Sequence, residues 1–397
     1  MPHRPYHHAA PVSPSQVATI RQRGLEEAHR LLQNALADST RAKQRDAAGE
    51  LASWLDNFGE GSNLTNCTPE DLLIYIVEHW LPTHRGRKRE DGLCGPSALK
   101  SHLSSLSGHF TGIARDGRYD ESSGRGNPCD SVWVSDFRKA YQRLSMQGGY
   151  QEESAVPLTA EKYQVLVRYL WGLIQSANTV LQAMLGLRDL LCAQYMWAST
   201  QRGHDVGKLG LEDFVDPAKP QQPFDGFPLL DPSRWPPGYF GPRLCIAERG
   251  TKTNRFERAP PIYIQPNPGE PQFCFVRTLA LYTAIARRPD APAGSEITDH
   301  LFRPLRPDRC GFKPEPLSSA ALGARVRLHL MMSGAYEGET NHSFRRGALQ
   351  HAAAQGAPLE ALHAQSQIRT AAVLKRYLDT ERHGARQVRR REESHPK

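Results

Sequence analysis

A histidine, an arginine and a tyrosine in the last third of the chain have types and spacing suited to phosphoryl chemistry. His342 and Arg345 lie three positions apart, so on a helix they share one face. Tyr377 follows in a later helical pattern over residues 370–378. Cationic groups can hold the oxygens of a phosphodiester while a phenol attacks its phosphorus. A His-x-x-Arg pattern also arises by chance, so this interpretation requires further partners upstream.

The first upstream partner is Arg202, which follows a long apolar helical pattern over residues 180–199. A guanidinium at the end of such a helix lies at the rim of a core, where it can make a bidentate contact to phosphate. Asp205 is close enough in sequence to orient it. The alternative is an arginine that caps the helix and makes a surface salt bridge.

The second upstream partner is Lys252, at the tip of a predicted β-hairpin with strands over residues 243–248 and 256–264. A hairpin tip is mobile, so its lysine can swing into a site once a ligand binds. Arg249 and Arg255 make the hairpin basic. The alternative is a solvated lysine in a turn.

The elements that must position these residues are mostly helical, and the sequence predicts a mainly α protein with a small β-sheet. Glycine, polar residues and proline over 148–157 predict a linker, and 210–242 predicts an irregular insert. We therefore expect a disordered tail, an all-helical N-terminal domain, a mixed α+β domain and a basic tail, over residues 1–15, 16–150, 158–380 and 381–397 respectively.

Bulk composition narrows the class of protein. The 397 residues carry a formal net charge of +8, which is compatible with a polyanionic partner. The sequence has no apolar run long enough for a membrane span and no signal-peptide pattern, so we expect no membrane association. The seven cysteines are scattered, with no C-x-x-C pair. This pattern argues against a zinc site and a disulfide framework, and it favours a reducing compartment.

Taken in order, Arg202, Lys252, His342-x-x-Arg345 and Tyr377 resemble the catalytic half of the tyrosine recombinase (phage-integrase-like) family. The helix over 342–356, with its small residues and closing glycine, also resembles that family. Upstream, residues 97–107, Asn127-Pro128 and 157–159 look like its helical core-binding domain, its Asn-Pro element and the start of its catalytic domain. The resemblance covers roughly residues 65–380.

The resemblance implies a concrete chemistry. Tyr377 would attack a DNA phosphodiester to form a 3′-phosphotyrosyl link and a free 5′-hydroxyl. Arg202, supported by Asp205, and Arg345 would hold the phosphate oxygens. Lys252 would protonate the leaving oxygen, and His342 would exchange a proton with the tyrosine. No metal, ATP or other cofactor is implied.

The partner implied is duplex DNA, bound largely through its backbone by a homo-oligomer that assembles as a tetramer. We expect a site-specific recombinase or integrase, encoded by a mobile element, in the nucleus of a eukaryote or the cytoplasm of a bacterium. The predicted DNA contacts are Arg85, Arg87, Lys88, Arg89, Lys100, Arg249, Arg255 and Arg346. The basic runs 84–89 and 386–391 are alternatively nuclear-import signals or solvated surface.

Two departures from the family pattern leave alternatives open. Ile368 occupies the position where the family has a histidine or tryptophan that donates to the phosphate. Gln367 or Arg369 could donate instead, after a small shift in register. The insert before the hairpin makes Lys208 a second candidate for the role of Lys252. The competing interpretations are a DNA-binding protein that keeps the fold without cutting, and an RNA-binding or scaffold protein.

Overall fold

The computed structural model describes residues 21–27, 36–86, 92, 94–150, 155–216, 218–223, 241–249, 257–297 and 299–379. The chain divides into two units, Met1–Glu153 and Ser154–Lys397. The division falls within the stretch 148–157 that the sequence predicts as a linker. Each unit has its own hydrophobic core.

The described part of the N-terminal unit is helical. Residues 21–27 are helical, and four longer helical elements follow. They are α1 (Asp38–Phe58), α2 (Pro69–Tyr75, continuing as a π-helical turn over Ile76–Trp80 and ending at Leu81–Thr83), α3 (Pro96–Gly112) and α4 (Val132–Gln147). Apolar residues recur at helical spacing, and this periodicity builds the core from Leu51, Leu72, Leu99, Leu103 and Phe110.

The start of α2 shows how local sequence fixes an element. The Thr68 hydroxyl accepts a hydrogen bond from the Asp71 backbone N–H, and the Asp71 carboxylate accepts one from the Thr68 backbone N–H. This capping box, with Pro69 at the first helical position, satisfies two donors that the helix leaves open.

The C-terminal unit is mixed. Its helices are α5 (Ala160–Gln175), α6 (Val180–Ser199), α7 (Gly203–Val206), α8 (Phe275–Ala286), α9 (Ser319–Met332), α10 (Asn341–Ala354), α11 (Leu359–Ser366) and α12 (Ala371–Leu378). Its strands are β1 (Phe214–Asp216), β2 (Lys219–Pro223), β3 (Leu244–Ile246) and β4 (Ile262–Ile264). The predicted fold class, mainly helical with a small sheet, is confirmed.

The described strands form an antiparallel sheet in the order β2-β1-β3-β4. Strands β3 and β4 are the predicted hairpin, paired with Cys245 opposite Tyr263. Strands β1 and β2 lie where the sequence predicted an irregular insert, so that part of the prediction is wrong. The proline-rich composition concealed them, because β2 is an edge strand, where proline is tolerated.

Helix α6 is the centre of the C-terminal core and packs against α5, α8 and α10. It is apolar on most of its surface, as expected for a helix buried on all sides. Its buried Asp189 accepts hydrogen bonds from Arg188 and from both Arg325 and His329 of α9. Burial raises the pKa of Asp189, but the surrounding cations outweigh it and the net shift is downward.

The segment that opens the C-terminal unit lies directly on α10. The Leu158 backbone N–H donates to the Ser343 carbonyl at 3.0 Å. A β-carbon at Gly347, one turn further along α10, would lie 1.7 Å from the Leu158 carbonyl oxygen. Glycine is therefore required at position 347 for this close approach.

Among the residues that the structure describes, no helix is both long and apolar enough to cross a membrane. The seven cysteines are all free thiols, and Cys310 is the exposed one.

Candidate active site

Arg345 is the centre of the candidate site. Its side chain is fully buried, and its two terminal nitrogens donate to the Thr200 and Ser366 carbonyl oxygens, each at 2.7 Å. Thr200 ends α6 and Ser366 ends α11, so one guanidinium joins three helices. Its Nε–H has no hydrogen-bond partner among the described residues. The arginine is therefore held rigidly where these helices meet.

Tyr377 lies beside this arginine in the same chain. The Arg345 guanidinium carbon is 5.4 Å from the centroid of the Tyr377 ring. The tyrosine is carried by α12, which begins at the cap Thr370 and buries Leu374. The structure thus brings the arginine of the His-x-x-Arg motif and the later tyrosine to one point, as the sequence predicts.

Arg202 lies close enough to Arg345 for the two charges to interact. Burial is the main cause that lowers the pKa of Arg345 to about 10, and the nearby charge of Arg202 lowers it further. Tyr377 and Asp205 act in the opposite direction. Arg345 remains protonated at neutral pH, so two cations and a phenol share this site.

The turn that carries Arg202 is fixed by two backbone features. Thr200 adopts a left-handed conformation with φ of 55°, which turns the chain sharply at the end of α6. Gly203 then packs against the start of α10, where a β-carbon would lie 2.6 Å from that of Asn341. The predicted arginine–glycine turn therefore needs its glycine to bring Arg202 to the helix that carries Arg345.

His342 lies in the first turn of α10 and is exposed, whereas Arg345 is buried. The helix begins with a capping box between Thr340 and Ser343. His342 and Arg345 are three residues apart, and this spacing puts them on one face of α10. The imidazole is thus at the solvent side of the site, within reach of an incoming ligand.

An acidic residue that the sequence analysis missed lies behind this site. Glu248 is 4% exposed and accepts a hydrogen bond from the Tyr195 hydroxyl at 2.7 Å. Burial raises the pKa of Glu248 to about 7; Asp205 and Asp213 add to the rise, while Tyr195 and Arg345 oppose it. The only signal in the sequence was an acid that directly continues an apolar strand.

The described stem of the hairpin is well paired. The Ala259 N–H donates to the Glu248 carbonyl at 2.7 Å. The backbones of Arg249 and Arg258 pair in an antiparallel β-bridge. The predicted catalytic Lys252 and the predicted DNA contact Arg255 lie outside the described residues. Lys208, the second candidate for the lysine role, is exposed.

Ile368 is a core residue. It is 3% exposed and packs with Leu349, Leu362 and Leu374. Gln367 adopts a left-handed conformation with φ of 52°, and its side-chain amide donates to the Pro260 carbonyl at 2.8 Å. Arg369 is exposed. The apolar side chain at this position therefore anchors the small core beneath Tyr377, while Gln367 points to the hairpin.

The predicted DNA contacts differ in their exposure and in their partners within the protein. Arg85 and Lys100 are exposed, while Arg87, Lys88 and Arg89 lie outside the described residues. Arg249 is half-exposed and forms an ion pair with Glu212 at 2.6 Å. The prediction that Arg346 contacts DNA is wrong for this structure. Arg346 is 6% exposed, and its side chain donates to the backbone carbonyls of Arg376 and Asp379. It is a structural donor inside the protein, because the end of α12 covers it.

Chemically, this arrangement suits a phosphate ester. Two arginines can stabilise the charge that develops on the non-bridging oxygens of a phosphate under attack, and the Tyr377 phenol lies beside Arg345. Within the described ranges, no three His, Cys, Asp or Glu side chains are grouped to hold a metal ion.

Comparison with known proteins extends these observations. No protein-family model matches the chain, and no curated protein matches it. Solved structures do match. XerH site-specific recombinase bound to its difH substrate, in a pre-cleavage complex, is 14% identical with a TM-score of 0.51, over 91% of this chain and 82% of that one.

Two further structures are similar. A lambda integrase dimer bound to a COC' core site is 14% identical with a TM-score of 0.49, over 93% of this chain and 81% of that one. The Tn1549 transposon integrase in complex with transposon right end DNA is 14% identical with a TM-score of 0.48, over 94% and 97%. At such identity it is the fold that is shared, and this chain has the fold of the tyrosine recombinases.

Proposed function

We propose that this protein is a site-specific DNA recombinase that cuts and rejoins duplex DNA through Tyr377. The observation that carries the proposal is the contact between the Tyr377 ring and the buried Arg345 guanidinium, 5.4 Å apart. The influence of Arg202 on the pKa of Arg345 adds a second cation at the same place. A phenol beside two arginines is suited to attack on a phosphodiester.

In the first step, the Tyr377 oxygen attacks the phosphorus of one DNA strand. The phenol loses its proton to His342, a bond forms between the phenol oxygen and phosphorus, and the bond from phosphorus to the 5′-oxygen breaks. Lys252 gives its proton to that leaving oxygen. Arg202 and Arg345 stabilise the charge on the non-bridging oxygens.

In the second step, a 5′-hydroxyl of another strand attacks the phosphotyrosyl link, so that a bond forms between the 5′-oxygen and phosphorus and the bond from phosphorus to the tyrosine oxygen breaks. The hydroxyl gives its proton to Lys252, and His342 returns a proton to the phenol. The number of phosphodiester bonds is conserved, so the energy of the broken bond is kept in the protein–DNA link until rejoining. Exchange between two duplexes requires several protomers, and we propose that the protein assembles as a homotetramer on DNA.

The net charge of +8 supports a polyanionic substrate. Arg85 and Lys100 are exposed cations of the N-terminal unit, and we propose that they contact DNA phosphates. Contacts of this kind release counterions, so the logarithm of the binding constant should fall linearly with the logarithm of the salt concentration. A weak salt dependence would contradict binding through the backbone.

The direct test is covalent trapping on a nicked duplex, from which the short leaving strand diffuses away. The wild-type protein should form an adduct that survives denaturation, and Tyr377→Phe should form none. Tyr263→Phe is the matched control, because Tyr263 is a half-exposed tyrosine on β4. An adduct with Tyr377→Phe would overturn the assignment of the nucleophile.

A second candidate is a protein that binds DNA without cutting it. Ile368 favours this candidate, because a buried isoleucine supplies no hydrogen bond to a phosphate. The same assay separates the two functions. Tight binding to the nicked duplex with no adduct in the wild-type protein would support the non-cutting function.

A further inference from the structure

Two side chains of α10 donate hydrogen bonds to the last carbonyls of the helix that carries Tyr377. Arg346 donates to the Arg376 carbonyl at 3.0 Å and to the Asp379 carbonyl at 3.1 Å. Gln350 donates to the Tyr377 carbonyl at 3.0 Å and to the Asp379 carbonyl at 3.4 Å. Since the two donors are four residues apart on α10, they lie on one face of that helix.

The end of α12 needs such donors. A helix leaves its last four carbonyls without partners inside the helix and carries partial negative charge there. Helices this short are not stable alone in water, and α12 has eight residues. Its one buried side chain in the helix proper is Leu374. Docking of α12 therefore depends on a few contacts: the two donors, the buried Leu374, and the packing of Tyr377 and Leu378 against the same small core.

The position of the donors also matters. Arg345 and Arg346 are neighbours on α10, but they serve different ends of the site: Arg345 bonds to the ends of α6 and α11, and Arg346 bonds to the end of α12. One helix thus carries both the phosphate-binding arginine and the groups that hold the nucleophile. The distance between cation and phenol is set through α10.

We propose that Arg346 and Gln350 form a clasp that positions Tyr377 by holding the C-terminal end of α12 against α10. The inference rests on the proposed function, in which Tyr377 is the nucleophile. The two are positioning residues: they contact neither the DNA nor the reacting atoms, and they set how often the phenol is in place. Loss of the clasp should slow the attack while leaving DNA affinity unchanged.

The first measurement is the single-turnover rate of adduct formation on the nicked duplex. Because hydrogen bonds from a charged donor are stronger than neutral ones, Arg346→Ala should slow the attack by about tenfold to a hundredfold and Gln350→Ala by about tenfold or less. Arg346→Lys keeps one charged donor and should recover part of the rate. Arg327→Ala and Gln355→Ala, at exposed positions of α9 and at the end of α10, are the matched controls.

A second measurement separates the clasp from the leaving-group acid. A duplex with sulfur in place of the 5′-bridging oxygen has a leaving group that needs no proton. This substrate should restore the rate of Lys252→Ala, whose defect is in proton donation. It should not restore the rate of Arg346→Ala, whose defect is in the placement of the nucleophile.

A third measurement does not depend on catalysis. Amide hydrogen exchange in residues 371–379 should speed up in Arg346→Ala and Gln350→Ala, while exchange in residues 341–349 stays slow. If exchange in 371–379 is unchanged, the clasp is wrong, whether or not the protein cuts DNA. It is also wrong if the variants slow the attack only in proportion to a loss of DNA affinity. If the wild type forms no adduct but exchange responds as expected, the clasp stands and the proposed function fails.

Discussion

The two halves of the candidate site are built in different ways. The arginine half is fixed from several directions: Arg345 is fully buried and bonded to the ends of two other helices. The tyrosine half is an eight-residue helix with Leu374 buried beneath it and two side-chain donors at its end. In the proposed reaction, the site for charge stabilisation gains from rigidity, whereas a nucleophile that must engage and release DNA gains from a lightly held support.

The largest effect is expected from breaking the rigid half. Arg345→Ala removes a cation from the site and leaves the Thr200 and Ser366 carbonyls without their donor. The rate of adduct formation should fall by about a thousandfold, as is typical when a group that stabilises the transition state is lost. Single-turnover trapping measures it, with Arg327→Ala as control. A rate within tenfold of wild type would show that Arg345 is a structural residue.

A smaller effect is expected from loosening the tyrosine half. Leu374→Ala empties part of the cluster formed with Leu349, Leu362 and Ile368, and such changes cost about 2–5 kcal/mol. Since α12 is short, it should detach locally, and the attack rate should fall by about a hundredfold. Hydrogen exchange should rise in residues 371–379 but not around Arg345. Val373→Ala, on the exposed side of α12, is the control. If Leu374→Ala speeds hydrogen exchange around Arg345 as well as in residues 371–379, α12 does not detach independently of the arginine half.

The pH dependence of stability should reveal the acid behind the rigid half. The pKa of Glu248 is raised from 4.5 to about 7, so the folded state holds this proton more tightly than the unfolded state. Its contribution to stability is present in full below pH 4.5 and is lost as pH rises through 7, which amounts to about 3 kcal/mol. Glu248→Gln should flatten the stability curve over this window. Chemical denaturation at several pH values measures it, and an unchanged slope would refute the shift.

The smallest effect is expected at the rim of the hairpin. Arg249 pairs with Glu212, and both side chains are more than half exposed. Arg249→Ala should therefore change stability by less than about 1 kcal/mol. If Arg249 contacts phosphate, the salt slope of DNA binding should fall by about one. Glu212→Gln removes the ion-pair partner of Arg249 and should tighten DNA binding. If Arg249→Ala and Glu212→Gln both bind DNA with wild-type affinity, Arg249 is not part of the DNA interface.

The sequence was informative where local pattern decides structure. The long apolar pattern over 180–199 predicted α6, the family resemblance over 342–356 predicted α10, and the order of Arg202, Arg345 and Tyr377 matches what the structure brings together. Arg346 shows the limit: whether a charged residue next to the motif faces DNA or protein depends on where α12 docks, and spacing carries no information on that contact. Glu248 shows a second limit of prediction from sequence. Strand β3 is buried on both faces, so it lacks the alternation of apolar and polar residues that would mark an inward-facing acid.

Gly347 has a consequence for mutational tolerance. Any side chain there would collide with the Leu158 carbonyl, and neither backbone can retreat without moving α10. In a library of single substitutions selected for activity, position 347 should accept almost nothing, because of this backbone contact alone. The exposed Ala354 on the same helix should accept most residues. A map of tolerated changes along α10 would therefore report the path of residue 158 across the helix as clearly as it reports the face that carries His342 and Arg345.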